Sequence, residues 1–225
     1  MERTDKRYST YVQILKEELV PAMGCTEPIA IAYAAAKARE VLGKTPDRVK
    51  IGVSDNIIKN VKSVIVPNTD GMKGIEAAAV AGIVGGQEDR QLEVIAEVTE
   101  EQKAEMRTFL EQVPVSVKPL DTGIIFDILI TLFGGEGSAV VRISQYHTNI
   151  TYIEKNGETL FAAEEQPEQI GCSEGEPKET GLADKSLLTI EGILDFAETC
   201  DLEDVKPILD VQIHYNTLIS EEGLL

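Results

Sequence analysis

The stretch FDILITLFGGEGSAVVRISQYHTNITYI, residues 126–153, decides the fold class of this chain. Two apolar or alternating runs flank the sequence Gly-Gly-Glu-Gly at 134–137, and Lys-Asn-Gly-Glu follows at 155–158 as a second turn. Glycine-bearing turns between such runs are typical of an antiparallel meander. The sequence therefore predicts antiparallel strands between residues 124 and 161.

Helical and strand patterns alternate on the N-terminal side of this meander. Apolar residues at helical spacing, or runs of small residues closed by glycine, predict helices at 8–23, 28–42, 75–84 and 100–112. Short β-branched runs predict strands at 49–54, 92–98 and 115–117. Together these elements predict an α+β fold, a mixed and largely antiparallel sheet with packed helices.

The chain changes character after the meander. We assign residues 1–161 to an α+β domain, and residues 162–185, rich in Glu, Gly, Pro and Gln, to an acidic loop or linker. Residues 186–225 predict two helices, at 186–200 and 202–225. The second helix has no stop signal, so we expect this segment to be the start of a truncated all-helical domain.

Composition narrows the function classes. The 225 residues carry a formal charge of −18, which opposes binding to nucleic-acid phosphates and to anionic membranes. No apolar run reaches the length of a membrane span, and no secretion segment opens the chain, so we predict a cytoplasmic protein. Cys25, Cys172 and Cys200 form no C-x-x-C pair, so neither a local zinc site nor a disulfide framework is encoded.

The segment PAMGCTEP, residues 21–28, places a cysteine at the mouth of a predicted helix. Pro28 suits a first helical position, and Thr26 or Glu27 can cap the free N–H groups. A helix N-terminus carries partial positive charge, which favours an ionised, reactive thiol at Cys25. The alternative is a buried structural cysteine, the common fate of a free thiol.

Two further segments have the character of ligand-binding loops. PNTDGMKG, residues 67–74, offers Asn68 and Thr69 as polar groups and Lys73 at a helix start that favours an anion. The alternative is an ordinary capped turn. SDNIIKN, residues 54–60, follows a predicted strand and presents Asn56, with a solvated turn as the alternative.

The segment QYHTN, residues 145–149, closes the longest predicted strand. Strict alternation would place Gln145, His147 and Asn149 on one strand face, as the wall of a site. The alternative is a histidine that is hydrogen-bonded within the sheet. Walker, G-x-G-x-x-G and H-E-x-x-H motifs do not occur in the sequence, so its motifs give no support to nucleotide or zinc chemistry.

Four segments, taken in chain order, resemble the N-terminal half of the L-cysteine desulfidase family, related to the iron–sulfur L-serine dehydratases. They are VPAMGCTEPIAIA at 20–32, SDNIIKN at 54–60, PNTDGMKG at 67–74 and GEGSAVVRISQYHTNI at 135–150. The resemblance covers residues 8–225, and the most specific part is the segment MGCTEP at 23–28. It implies β-elimination without pyridoxal phosphate, from L-cysteine to hydrogen sulfide, pyruvate and ammonia, or from L-serine to pyruvate and ammonia. It also implies a 4Fe-4S cluster held by three cysteines, with one open iron acting as Lewis acid.

The resemblance assigns roles to residues of this chain. Cys25 would face the cluster as a base or as a transient ligand of the open iron. Substrate binding would fall to Thr26, Glu27, Asn56, Asn68, Thr69, Lys73, His147 and Asn149.

One feature departs from the family pattern. The cluster-binding cysteines of the family lie in the C-terminal half, and neither Cys172 nor Cys200 has the expected spacing. We therefore predict that these 225 residues alone bind no cluster and have no elimination activity. The expected partner is a C-terminal half or a second subunit.

Two other functions stay open at this point. The chain could be a binding module that holds a small amino acid without turning it over. It could also be an oligomerising scaffold, because the Ala-rich helix from Ile29 and the C-terminal helix offer apolar faces. The sequence leaves open whether the amino acid is L-cysteine or L-serine.

Overall fold

The computed structural model describes residues 1–163 and 183–224. Most of the predicted acidic loop, with Cys172, lies outside these ranges. The chain divides into two compact units, one formed by Met1–Pro21 with Glu168–Leu225 and the other by Ala22–Pro167. This grouping differs from the predicted domain of residues 1–161, because the first helix belongs with the C-terminal helices. In the described residues, no helix has the length and apolarity needed to cross a membrane.

The described residues of the first unit, which we call the helical unit, form three α-helices and a short 3-10 helix at Lys185–Leu187. The α-helices are α1 (Lys6–Glu18), α6 (Ile190–Thr199) and α7 (Leu202–Glu222). Its core is small and aromatic: the ring of Phe196 packs edge-on against Tyr8 and Tyr11, at centroid distances of 5.3 and 5.4 Å. The Tyr11 hydroxyl donates to the Leu187 carbonyl at 3.0 Å, which fixes the 3-10 helix.

The second unit, called the α/β unit below, is built on one six-stranded sheet with the order β2-β1-β3-β4-β5-β6. β1 and β2 pair in parallel, and every other neighbouring pair is antiparallel. The predicted α+β class with a mixed, largely antiparallel sheet is therefore confirmed. The strands are β1 (Arg48–Val53), β2 (Val115–Pro119), β3 (Asp127–Gly134), β4 (Gly137–Ser144), β5 (Ile150–Lys155) and β6 (Glu158–Ala162).

Among the described residues, four α-helices complete the α/β unit, and two of them, α2 and α4, are buried in its core. The four helices are α2 (Thr26–Leu42), α3 (Asp55–Val61), α4 (Gly74–Gly85) and α5 (Glu100–Gln112). α2 is rich in alanine, and α4 is made mostly of alanine and glycine, so their backbones approach closely. A Cβ placed on Gly82 would overlap the carbonyl oxygen of Ala32, and one on Gly86 would lie 2.7 Å from the Cβ of Ala36.

The central strands follow the predicted alternation. Ile128, Ile130 and Leu132 on β3 are fully buried, as are Val141 and Ile143 on the paired β4. This row is the aliphatic surface on which the helices pack, since burying such side chains stabilises the fold by about 1.5–3 kcal/mol each.

One ion pair is buried at the start of β3. Asp127 has no exposed surface and accepts two hydrogen bonds from Arg142, both at 2.8 Å, and one from Thr122 at 2.7 Å. The backbone carbonyl of Asp127 also accepts from the Ser54 N–H, so the same residue joins β3 to the start of α3.

One predicted strand is wrong. Residues 92–98 contain no strand; a 3-10 helix at Glu88–Glu93 and a series of turns occupy this part of the chain. Leu92, Val94, Ile95 and Val98 are nonetheless buried. A short apolar run indicates that its residues are buried, but it does not determine the backbone conformation. Here the buried side chains lie on a 3-10 helix and turns.

Candidate functional site

The geometry at the start of α2 begins with a glycine. Gly24 has φ +101°, a conformation that glycine adopts without strain. It brings the chain close to the loop at 67–74, since a Cβ on Gly24 would lie 3.7 Å from Cγ of Pro67. Cys25 then takes the N-cap position of α2 in an extended conformation, without a capping hydrogen bond from its side chain. The predicted caps, Thr26 and Glu27, are instead the first two helical residues.

The start of α4 lies at the same end of the unit as the start of α2. The close contacts pair Ala32 with Gly82 and Ala36 with Gly86, so the residue numbers increase together and the two helices run parallel. Their positive N-terminal ends therefore point the same way. Lys73 is the N-cap residue of α4 and is exposed.

A thiol and a carboxylate meet at the first turn of α2. The Sγ of Cys25 donates to Oε2 of Glu27 at 3.1 Å, and Nδ2 of Asn60 donates to the other oxygen at 3.3 Å. Asn60 comes from α3, so this contact joins two helices. Cys25 is exposed and free.

The thiol is held in its protonated form. Desolvation of the sulfur, the hydrogen bond to Glu27 and the negative charge of Glu27 raise the pKa of Cys25. The expectation of an ionised thiol is therefore wrong: the N-terminal dipole favours a thiolate, but burial of the sulfur and the adjacent carboxylate together oppose it more strongly.

The carboxylate of Glu27 has the opposite shift. Burial acts to raise its pKa, but hydrogen bonds from the Cys25 thiol, the backbone and Asn60, with the nearby charge of His147, leave the pKa of Glu27 below its ordinary value. At neutral pH the pair is therefore a neutral thiol beside an ionised carboxylate.

A second side-chain pair lies beside the first. Oγ1 of Thr26 and Nε2 of His147 are 3.0 Å apart, and the His147 ring is tilted against Phe126 with centroids 4.5 Å apart. The turn after β4 brings His147 here, because the Gln145 N–H donates to the Phe126 carbonyl at 2.9 Å. Two hydrogen-bonded side-chain pairs, Cys25–Glu27 and Thr26–His147, thus meet at the first turn of α2.

The predicted strand face at 145–149 is wrong. β4 ends at Ser144, and Gln145 turns the chain with φ +71°. His147 and Asn149 therefore lie in a turn rather than on one face of a strand. The Asn149 side chain donates to the Ser144 carbonyl at 2.9 Å, which closes that turn.

The other predicted binding residues are not brought together in the same way. Asn68 donates to the carbonyls of Ile95 and Ala96, at 3.0 and 3.2 Å, and the buried Thr69 donates to the Val66 carbonyl at 2.8 Å. Both side chains hold their own loop in place. Asn56 is exposed on α3, one turn before Asn60, and it is Asn60 that reaches Glu27.

Two contributors to this site were not among the predicted site residues, Asn60 and Phe126. The four-residue spacing of Asn56 and Asn60 on a helix was the available signal for Asn60, because it places both on one face. Phe126 gave no local signal, since its contact with His147 depends on the turn at Gln145.

We name these six residues the α2 cluster: Cys25, Thr26, Glu27, Asn60, Phe126 and His147. Two surface depressions of about 400 and 470 Å³ lie in the helical unit, and neither is lined by a predicted site residue. Among the residues that the structure describes, no group of three or more His, Cys, Asp or Glu is arranged to hold a metal ion.

Comparison with known proteins gives relatives along the whole chain. It is 53% identical over 224 residues to a UPF0597 protein of Desulfitobacterium hafniense strain Y51, a match covering 100% of the chain and 50% of the relative. It is 45% identical over 218 residues to a UPF0597 protein of Treponema denticola, covering 97% of the chain and 49% of the relative. The chain spans about half the length of these curated relatives.

These relatives correct the family resemblance. Proteins that match nearly the whole chain are UPF0597 proteins by name, not L-cysteine desulfidases or L-serine dehydratases, so the resemblance is wrong. No family model matches the chain. No solved structure matches it either.

Proposed function

We propose that the α2 cluster is part of a site where a small amino acid is bound and cleaved by β-elimination. The observation that carries the proposal is the presence of two hydrogen-bonded pairs on one helical turn, Cys25–Glu27 at 3.1 Å and Thr26–His147 at 3.0 Å. The substrate would be L-cysteine or L-serine, whose leaving groups differ by one atom.

The helix ends support recognition of the carboxylate. The parallel α2 and α4 direct their N-terminal N–H groups to one end of the unit, where an anion is stabilised. The exposed Lys73 adds a positive charge at the start of α4. Glu27, ionised at neutral pH, is the matching partner for the ammonium group of the amino acid.

The proton transfers follow from the states of the side chains. A base accepts the proton from Cα, the electron pair of that bond forms the Cα=Cβ double bond, and the Cβ–S or Cβ–O bond breaks. The imidazole of His147 is the acceptor that we assign, because imidazole is the usual general base near neutral pH. The protonated thiol of Cys25 then donates to the departing group and yields hydrogen sulfide or water.

The remaining product is aminoacrylate, which hydrolyses to pyruvate and ammonia. Cys25 regains its proton from the His147 imidazolium through water, so the α2 cluster returns to its starting state. In this scheme Cys25 is a proton donor, and Glu27 keeps it protonated.

The predicted 4Fe-4S cluster does not fit the residues described. Cys25 has a carboxylate as its nearest partner, and no three-residue ligand set accompanies it in the described part of the chain. The proton transfers assigned to His147 and Cys25 do not involve a 4Fe-4S cluster, and that cluster stays a prediction for a longer protein.

One observation favours a second candidate function. A neutral thiol is a poor nucleophile, so the raised pKa of Cys25 also suits a site that binds a small amino acid without cleaving it. Such a module would use the same carboxylate and ammonium contacts.

The test separates binding from cleavage. Calorimetry of this chain with L-cysteine, L-serine and L-alanine measures binding. Pyruvate release measures cleavage, first with the chain alone and then with the unmatched half of the D. hafniense relative added. We expect binding weakened at least tenfold by Glu27→Gln, and pyruvate release abolished by His147→Gln. Cys200→Ser is the matched control. Binding without pyruvate in any assembly favours the second candidate, and absence of both overturns the proposal.

A further inference from the structure

The helical unit exposes an unusual amount of apolar surface. Of eighteen exposed large apolar side chains among the described residues, twelve lie between 183 and 224. Ile190 is 80% exposed, Leu202 71% and Ile219 69%. Scattered apolar residues are normal on a surface, but a concentration of this kind marks a site of interaction.

The second half of α7 is exposed along its whole length. Every residue from Asp210 to Glu222 is exposed, although α7 runs for 21 residues, about 31 Å. Helices in proteins depend on tertiary packing of an apolar face for most of their stability. This half of α7 has such faces but no packing partner within the described residues.

Six of the apolar residues of α7 form two stripes. Val205 and Leu209 face the core of the helical unit and pack with Phe196 and the tyrosines. Ile208, Val211, Tyr215 and Leu218 recur at spacings of three, four and three, and lie on another side of the helix. We call this second stripe the α7 seam. A helix with apolar residues on more than one side is expected to pack against other elements on each of those sides.

The charges around the seam describe the surface that it fits. α7 carries five acidic residues and one basic residue: Glu203, Asp204, Asp210, Glu221, Glu222 and Lys206. α6 adds three acidic residues and no basic one. A matching surface would be an apolar helix face with a rim of Lys and Arg, because complementary charge at the rim steers association.

We infer that the α7 seam is the docking surface for the polypeptide that makes up the other half of the relatives. The D. hafniense, T. denticola and L. phytofermentans relatives are each about twice the length that the chain matches. A second segment of about 220 residues therefore accompanies this one in those proteins. The seam is an apolar helix side for such a segment to cover.

The inference is independent of the proposed function, since the seam lies on the helical unit and the α2 cluster on the α/β unit. Its test is co-expression of this chain with the unmatched half of the D. hafniense relative, with a tag on this chain. Copurification and light scattering report the complex. We expect a one-to-one complex, in which Val211→Glu weakens binding about tenfold or more and Val211→Glu with Leu218→Glu abolishes it.

Thr217→Glu is the matched control. Thr217 is exposed on the same stretch of α7 but lies away from the seam. The substitution therefore adds the same charge without disturbing the proposed contact. Circular dichroism of each variant checks that α7 is retained. Hydrogen exchange supplies a second readout, with residues 210–222 exchanging fast in the chain alone and protected in the complex.

Three results would overturn the inference. The first is recovery of this chain without the second polypeptide, whether that polypeptide is soluble or not. The second is a complex of unchanged affinity in the double variant. The third is a homodimer of this chain that Val211→Glu dissociates, which would make a second copy the occupant of the seam.

Discussion

The thiol of Cys25 lies 3.1 Å from a carboxylate oxygen of Glu27, two residues further along the same helical turn. A cysteine at a helix N-terminus is ordinarily activated by the unpaired N–H groups. Here burial of the sulfur, together with an acid in the same turn, opposes that effect and raises the pKa of Cys25, so the sulfur stays protonated. Burial and one glutamate thus set the chemistry that the thiol can perform.

The first prediction concerns the reactivity of this thiol. Because the pKa of Cys25 is raised, its thiolate appears at higher pH than that of an ordinary cysteine. Alkylation by iodoacetamide, mapped to Cys25 by mass spectrometry, should have its midpoint above the usual value of about 8.5. Glu27→Gln should move the midpoint down, and desolvation of the sulfur should leave part of the shift.

Cys200, partly buried in the helical unit, is the internal control for this measurement. Its alkylation profile should not respond to Glu27→Gln. A Cys25 midpoint below the ordinary cysteine value would contradict the assigned hydrogen bond.

The second prediction concerns the crossing of α2 and α4. Gly82→Ala places a Cβ into the Ala32 carbonyl oxygen, which forces the two helices apart. We expect a loss of about 3 kcal/mol or more in the free energy of unfolding, measured by urea denaturation with circular dichroism. Gly43→Asn is the control, because that position is left-handed with open space around it, and it should cost far less. Equal losses in the two variants would disprove the close crossing.

The third prediction concerns the buried ion pair. Asp127→Asn leaves the Arg142 guanidinium without its carboxylate, which should lower the free energy of unfolding by about 3 kcal/mol. Arg142→Lys keeps the charge but loses the two-pronged contact, so its cost should be smaller. Urea denaturation followed by circular dichroism measures both costs. Equal costs in the two variants would contradict the two-pronged contact between Asp127 and Arg142.

The fourth prediction concerns the core of the helical unit. A Cβ on Gly192 would overlap the Tyr11 hydroxyl, so Gly192→Ala should push α6 away from α1. We expect a cost of about 1–3 kcal/mol in the stability of this unit, followed by hydrogen exchange at Phe196. Glu191→Ala, one residue earlier and exposed, should leave that exchange unchanged. A protected Phe196 amide in Gly192→Ala would argue against the packing of α6 on α1.

Local signals in the sequence were sufficient for much of the fold. The turn glycines of the meander predicted the strands between 124 and 161, and the helical spacing of apolar residues at 100–112 predicted α5 with the bounds that it has. The strand predicted at 92–98 failed because a buried apolar run need not be extended. The partners of α1 could not be predicted at all, since Tyr8 and Phe196 are brought together by tertiary structure alone.

The candidate site shows the same division. Cys25 was identified by its helix-terminal position, and His147 by its place in the polar segment at 145–149. The expected ionisation of Cys25 was reversed, because burial of the sulfur and the carboxylate of Glu27 both oppose the N-terminal dipole. The contact between Thr26 and His147, 121 residues apart, depends on a turn that strand alternation did not reveal.

The split composition of the helical unit has a consequence during protein synthesis. The α/β unit is an insertion between α1 and α6, so the ribosome completes it while α1 still has no partner. About 185 residues separate Tyr11 from Phe196, which takes roughly 10–40 s at ordinary elongation rates. For that interval the aromatic side chains of α1 have no packing partner on the nascent chain, so we expect this helix to stay exposed until Phe196 emerges.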